Sequence, residues 1–372
     1  MAQFINFKPT DYFNTVTYTG TASSGSWQAV TGVGFQPNMT WIKSRSNSSW
    51  NAICDSVRGV DASPSCKAVY SNESNAEQDN SVEYMDGYQS DGFTVGENGS
   101  FGLNGYTYVS WCWKMGTSSG LSGGTITPTG YSIDTTACQG VYAYTGTGSN
   151  ATIAHGLGKA PSLVLVKCRS NTESWAVYNS TPGYNSGATT QGGNLDLTLN
   201  DSNARTTSST MWNDTNATDT LITVGTNDQT NGSGKTYIMY VFCDVPGYSM
   251  NGQYRGTGNN DGPIIYTGFE PAYIMVKNRD SGGPANYGWT MYSNKFGMKE
   301  YTSRGDGNEL VEMLMADQTD GDEVGEAVDF YSTGFKWRGN GARTNQSSAS
   351  FVFQAFAKNP IVGKNNTPGT AR

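Results

Sequence analysis

Residues 34–45 read GFQPNMTWIKSR, and the same pattern returns as GKAPSLVLVKCR at residues 158–169 and as GFEPAYIMVKNR at residues 268–279. In each copy a lysine follows the proline by six positions and an arginine follows the lysine by two. A tryptophan comes shortly afterwards. The residues that define the repeat are Pro37, Lys43, Arg45, Trp50, Pro161, Lys167, Arg169, Trp175, Pro271, Lys277, Arg279 and Trp289. The copies are much farther apart than the roughly 20–50 residues of a solenoid repeat, so each is predicted to be a whole domain.

The block after each proline predicts a β-strand with one buried face. Thr40 and Ile42 occupy alternate positions, and β-branched residues in that pattern favour a face packed on a core. Lys43 and Arg45 then lie together on the opposite face. Glycine (47 residues) and tyrosine (22 residues) are abundant and only 15% of residues are charged, which is typical of short strands joined by tight turns. We predict an all-β fold of three tandem antiparallel β-sandwich domains of the jelly-roll type.

The domain boundaries follow from the three copies. The first sandwich is predicted over residues 1–118, the second over 140–247 and the third over 248–372, which includes a polar C-terminal tail. Residues 119–139 are rich in glycine, serine and threonine, and they are predicted to form a connector that is flexible or adds an edge strand.

Composition excludes several function classes. The formal net charge is −8 and basic residues do not cluster, so nucleic acid is not the expected partner. No apolar stretch approaches the roughly 18 residues of a membrane span, and the N-terminus has no signal-peptide pattern. We therefore expect synthesis in a reducing cytoplasm, with all six cysteines as free thiols and no disulfide between Cys54 and Cys66.

No catalytic constellation is recognisable, and we expect neither enzymatic activity nor a cofactor. His155 is the only histidine, and without a matching serine motif it is interpreted as a surface loop residue. Asp317, Asp320 and Asp322 surround a glycine as in some calcium loops, but a solvated acidic loop explains them equally well. The repeated tryptophans could stack on sugars, although recurrence in every copy favours core packing. The repeated Lys and Arg residues are expected to support a sheet face or pair with a turn carboxylate.

Several segments resemble a family of structural proteins from marine tailed bacteriophages. They include Asn6–Asn14, Asp55–Gly59, Ser110–Lys114, Tyr266–Ala272 and Gln354–Pro360, and they are spread over almost the whole chain. The resemblance implies laminin-G-like or concanavalin-like jelly rolls and a place on the virion exterior as a tail or fibre component.

The expected function is therefore that of a non-enzymatic virion structural protein. Its expected partners are other virion proteins and further copies of itself in a homo-oligomer such as a trimer, and host surface polysaccharide is a third candidate. A capsid decoration protein, a glycan-binding receptor-recognition module and a polysaccharide depolymerase stay open as alternatives.

Overall fold

Short strands joined by turns dominate this computed structural model, which describes residues 5–59, 67–79, 83–181, 192–283, 287–297 and 310–360. Within those ranges there is one α-helix, α1 (Ser209–Trp212), and 3-10 helices lie at Pro9–Asp11 and Gly192–Asn194. The neighbouring strands pair in antiparallel fashion. The prediction of an all-β fold is confirmed. No helix in the described ranges has the length and apolar character needed to cross a membrane.

The strands fall into three units that follow one another along the chain. The first unit contains β1 (Phe13–Thr19), β2 (Gln28–Val30), β3 (Met39–Ser44), β4 (Ala52–Asp55), β5 (Lys67–Tyr70), β6 (Gln78–Asp79), β7 (Met85–Gln89), β8 (Gly92–Val95) and β9 (Thr107–Trp113). The second contains β10 (Gly130–Asp134), β11 (Gln139–Thr145), β12 (Ala151–Ala154), β13 (Leu163–Cys168), β14 (Ala176–Asn179), β15 (Leu195–Thr198), β16 (Thr206–Thr207), β17 (Leu221–Val224) and β18 (Thr236–Phe242). The third contains β19 (Ser249–Arg255), β20 (Ile264–Tyr266), β21 (Phe269–Asn278), β22 (Thr290–Ser293), β23 (Leu310–Met315), β24 (Glu323–Tyr331), β25 (Gly334–Trp337) and β26 (Ser350–Pro360).

Each unit has one large sheet, and the three large sheets share a strand order. The order β1-β9-β3-β4-β5-β6 in the first unit matches β11-β18-β13-β14-β15-β16 in the second and β19-β26-β21-β22-β23-β24 in the third. The second sheet has the additional edge strand β10 beside β11, and the third continues from β24 into β25 and β20. The strands that contain Lys43, Lys167 and Lys277 therefore occupy equivalent places, each between a long closing strand and a short following strand. In the third copy Pro271 lies inside β21 at a register shift, where the missing N–H is tolerated.

One face of each large sheet packs on a local core. Strands β2, β8 and β7 form a small sheet in the first unit, and β12 pairs with β17 in the second. In the third unit β24, β25 and β20 continue the large sheet itself. The equivalent residues Ile42, Val166 and Val276 belong to three different local clusters, one for each unit.

The opposite face of each large sheet is also buried. Trp41, Leu165 and Met275 hold equivalent positions in β3, β13 and β21, and all three lie in one hydrophobic cluster shared by the three units. Every residue of β3 is buried as a result. The sequence pattern predicted one core-facing side only, because alternation identifies the two faces of a strand but not what covers the second.

Three aromatic rings mark the centre of the shared cluster. Trp113, Phe242 and Phe356 occupy equivalent positions on β9, β18 and β26, where they pair with Met39, Leu163 and Tyr273. The ring centroids are 5.9, 5.8 and 5.9 Å apart, which is close to an equilateral triangle. The three units are thus arranged around a pseudo-threefold axis filled with side chains.

The predicted connector, residues 119–139, contributes an edge strand. Its residues include β10, which pairs with β11, and Ile126 forms an isolated bridge with Ile153. The polar tail beyond Pro360 lies outside the described residues. The exact domain boundaries stay a prediction.

The expectation that all cysteines are reduced is wrong at one described position. Cys54 is disulfide-bonded, whereas Cys112, Cys138, Cys168 and Cys243 are free and buried. Cys66, named with Cys54 in that expectation, lies outside the described residues. The inference failed because it used a presumed compartment and no geometry.

Candidate functional site between the units

The repeated tryptophans lie where one unit meets the next. The indole Nε1 of Trp175 donates to the carbonyl of Tyr70 in the first unit at 2.8 Å. The indole Nε1 of Trp289 donates in the same way to the carbonyl of Thr198 in the second unit at 2.8 Å. Both rings are buried.

In the first unit the equivalent position is Asn51 and not Trp50. Strand pairing aligns Ala52 with Ala176 and Thr290, because these residues face Ile42, Val166 and Val276. Asn51, which precedes Ala52, donates from Nδ2 to the carbonyl of Met315 in the third unit at 3.2 Å. Trp50 is only partly buried and packs against the ring of Tyr70, with centroids 5.0 Å apart. The sequence alignment of Trp50 with the other tryptophans is therefore wrong by one residue.

These three bonds close a ring. The accepting residues Tyr70, Thr198 and Met315 are themselves equivalent, since they pair with Ala52, Ala176 and Thr290. The second unit donates to the first, the third to the second, and the first to the third. This head-to-tail order is the heterologous arrangement that, with a threefold rotation, forms a closed assembly.

The repeated lysines are buried near the same contacts. Lys43 Nζ donates to Asn51 Oδ1 at 2.7 Å and to the carbonyl of Gln318 in the third unit at 2.9 Å. Lys167 Nζ reaches the carbonyl of Ser74 in the first unit at 3.1 Å. Burial lowers the pKa of Lys43 to about 7 and the pKa of Lys167 and of Lys277 to about 8. All three amines bind carbonyl or amide oxygens, which gives them a structural role.

The repeated arginines form ion pairs at two of the three contacts. Arg169 binds Glu77 of the first unit through Nε at 2.7 Å and Nη2 at 2.9 Å. Arg45 binds Asp322 of the third unit through Nη2 at 2.6 Å and Nε at 3.2 Å. Paired donors of this kind match the geometry of a carboxylate.

At the third contact, between the second and third units, a basic residue takes the place that Glu77 and Asp322 hold at the other two contacts. The backbone N–H of Glu77 donates to the carbonyl of Arg169, and that of Asp322 donates to the carbonyl of Arg45. The residue that makes this bond to Arg279 is Arg205, at 2.9 Å. Burial and then the charge of Arg205 lower the pKa of Arg279 to about 10. Sequence reasoning missed Glu77 and Arg205, and no motif marks them, because the partner of each arginine is distant in sequence and variable in type.

Arg58 adds a buried charge network to the contact of the first and second units. Its Nε binds Asp55 Oδ2 at 2.7 Å and its Nη2 binds the hydroxyl of Tyr240 in the second unit at 3.0 Å. Burial alone would lower the pKa of Arg58, but Asp55, Tyr240 and Glu77 raise it above its usual value. The guanidinium therefore stays charged and joins the two units.

His155 is not a surface residue, contrary to the sequence-based interpretation. It is buried, its Nδ1 accepts the backbone N–H of Leu157 at 3.2 Å, and its Nε2 donates to the carbonyl of Thr218 at 3.0 Å. Burial lowers its pKa. A neutral ring with both nitrogens bonded holds the loop before β13.

Two of the calcium candidates, Asp317 and Asp322, have protein partners. Asp317 accepts the backbone N–H of Trp289 at 2.8 Å, and burial raises its pKa to about 6. Asp322 is bound to Arg45. The described residues contain no group of three His, Cys, Asp or Glu side chains that could hold a metal ion.

A polar cavity lies between the first and second units. It has a volume of about 350 Å³ and its lining includes Asn38, Ser56, Tyr131 and Ser132. Its hydroxyl and amide groups can bind an uncharged polar ligand through hydrogen bonds.

A family model described as "Domain of unknown function (DUF7483)" matches residues 8–360, which is nearly the whole chain. No curated protein matches the sequence.

Proposed function

The chain belongs to the DUF7483 family, whose description assigns no function, and we propose that it is a non-enzymatic structural protein on the exterior of a tailed-phage virion. Its place is in the tail or a fibre, where it makes protein contacts and takes part in host attachment. Its three units are jelly-roll-like sandwich domains in tandem. The observation that carries this proposal is the closed ring of three units around one apolar axis.

The ring supports a structural role because it makes a rigid block from a single chain. Two sets of contacts, the shared core and the head-to-tail bonds, restrain each unit against both neighbours. Such a block can transmit force and can present loops at fixed spacing, as virion parts must. The distinctive polar residues of the repeat are used to hold units together, which favours assembly over catalysis.

Partners are proposed to be other virion proteins and further copies of the chain. Ile264 and Tyr266 on β20 are 66% and 65% exposed, and Val324 on β24 is 68% exposed. These strands flank β25 at one end of the largest sheet. Large exposed apolar side chains on neighbouring strands are typical of surfaces that contact other proteins.

Gold-labelled antibody against the purified chain, applied to intact particles, tests the proposal by electron microscopy. Label on the tail or fibre agrees with it, whereas label on the capsid would favour the decoration alternative. Particles that carry no label and lack the chain by mass spectrometry would reject a virion role. Sedimentation of the purified chain separately determines whether it forms a homo-oligomer.

A second candidate, a glycan-binding module, is favoured by the polar cavity next to Tyr131. Sugars bind through hydroxyl and amide hydrogen bonds together with an aromatic face. Calorimetric titration with host surface polysaccharide, comparing the native chain with Tyr131→Ala, measures this function. An assay for released reducing sugar on the same samples distinguishes binding from depolymerase activity.

A further inference from the structure

At the contact between the second and third units an arginine, Arg205, makes the backbone bond to Arg279 that an acidic residue makes at the other two contacts. The ion pair there is a long one, from Arg205 to Asp280 at 3.6 Å. From this juxtaposition we infer that Arg205 and Arg279 form a binding site for a small oxyanion, of the class of carboxylate, sulfate or phosphate.

The molecule already shows how such a pair is satisfied. At the contact of the first and second units, Glu77 Oε2 lies between two arginines, 2.7 Å from Arg169 Nε and 3.3 Å from Arg58 Nη1. At the contact of the first and third units, both oxygens of Asp322 bind Arg45. A group with two oxygens is thus the partner that this architecture provides for the repeated arginine.

Arg205 makes the same backbone bond as Glu77 and Asp322. Its side chain has a guanidinium group where theirs have a carboxylate. Residues 182–191 and 284–286, which follow Thr181 and Gly283 in the chain, contain no Asp or Glu. Arg205 Nη2 is 3.6 Å from Asp280 Oδ1, and Arg279 Nη1 donates to the carbonyl of Thr181 at 2.9 Å. The first contact uses Nη2 of Arg205, and the second uses Nη1 of Arg279.

Two buried donors have no hydrogen-bond partner in the part of the chain that the structure describes. They are Nη1 of Arg205 and Nε of Arg279. Arg279 is only 1% exposed. A buried charged donor without a partner is costly. The charge of Arg205 also acts on Arg279 more strongly than the opposite charge of Asp280. An anion between them would remove both penalties. The Arg205 side chain is 19% exposed, so the site is open to solvent on that side.

The test is thermal unfolding of the full chain in sodium sulfate, sodium phosphate or sodium acetate, each titrated at constant ionic strength against sodium chloride. The wild-type melting temperature is expected to rise by about 2 °C or more and to saturate, as ligand linkage requires. The three salts distinguish carboxylate from tetrahedral oxyanions as the preferred group. Calorimetric titration of the wild type with sodium sulfate supplies a direct binding measurement.

Arg205→Glu should replace the anion with an internal carboxylate, as at Glu77. This variant is expected to melt above the wild type without added anion and to show no saturable response. Arg255→Glu, which changes the same charge at an exposed position on β19, serves as the matched control and should respond like the wild type. Arg205→Gln, which loses the guanidinium without adding charge, should also lose the response. No saturable response in the wild type, or an equal one in both Arg205 variants, would overturn the site and indicate a general salt effect.

Discussion

Replacement of Phe356 by alanine tests whether the three units are stabilised by one shared core. The ring is 1% exposed and stacks on Phe13 of the first unit at 4.5 Å. It also lies 5.8 Å from Trp113 and 5.9 Å from Phe242 in the other two units. A buried Phe→Ala change costs about 3–5 kcal/mol. We expect a value near the upper end, about 5 kcal/mol, because aromatic pairs contribute beyond the area that they bury.

The assay is native-state hydrogen exchange followed by mass spectrometry, with urea unfolding to measure the free-energy change. Phe356→Ala is expected to lower amide protection in the long strands of all three units. Phe353→Ala is the matched control, since it removes the same ring from the same strand on the side of the local core, against Phe335. Its effect should be greatest within the third unit. If protection in Phe356→Ala falls only in residues 249–360, the units are energetically independent and no shared core stabilises them.

Further predictions concern a buried lysine, the interface tryptophan and the disulfide. Burial lowers the pKa of Lys43 from 10.5 to about 7, so between these pH values the unfolded chain holds a proton that the folded chain has lost. The free energy of unfolding should then rise by about 1.4 kcal/mol per pH unit. Urea unfolding between pH 7.5 and 9.5 should therefore show the wild type gaining stability relative to Lys43→Met. A stability difference between the two proteins that stays constant with pH would contradict this. In the same assay Trp175→Phe should lower the free energy of unfolding by about 1 kcal/mol more than Trp212→Phe. Of these two indoles, the one of Trp175 has a hydrogen-bond partner, the Tyr70 carbonyl. Equal losses of stability would argue against that bond. Alkylation of the unfolded, unreduced chain should leave Cys54 unlabelled while the free thiols react, and mass spectrometry that finds Cys54 labelled would count against the disulfide.

The strand after each of the three prolines could be predicted from the sequence, because the repeated block fixes its alternation. The second buried face of β3 could not, since Met39 and Trp41 alternate in the same way whether they face solvent, a ligand or two other units. The shift from Trp50 to Asn51 was hidden for a related reason. Tryptophan and asparagine do not align in a sequence comparison, but the indole of one and the amide of the other both donate an N–H to a carbonyl of a neighbouring unit.

Pairing of the repeated arginines with carboxylates was an expectation from the sequence, but the partners could not be identified from it. Arg169 and Glu77 are 92 positions apart, and Arg45 and Asp322 are 277 apart. Their pairing depends on how the units pack against one another and not on any local pattern. Arg205 also occupies the acidic position without any change in the surrounding backbone bond, so the exception becomes visible only when the three contacts are compared.

The contact with the weakest internal charge pairing lies between the units joined by the shortest link. Strand β18 ends at Phe242 and β19 begins at Ser249, whereas β9 ends at Trp113 and β10 begins at Gly130. A short link gives a high effective concentration of one unit beside the next, so this contact can tolerate two arginines that are only partly paired. The first and third units have no direct link, and their contact relies on the bonds of Asn51, Lys43 and Arg45. The contact of the second and third units therefore has weak charge pairing and a short covalent link. The contact of the first and third units has stronger charge pairing and no direct link.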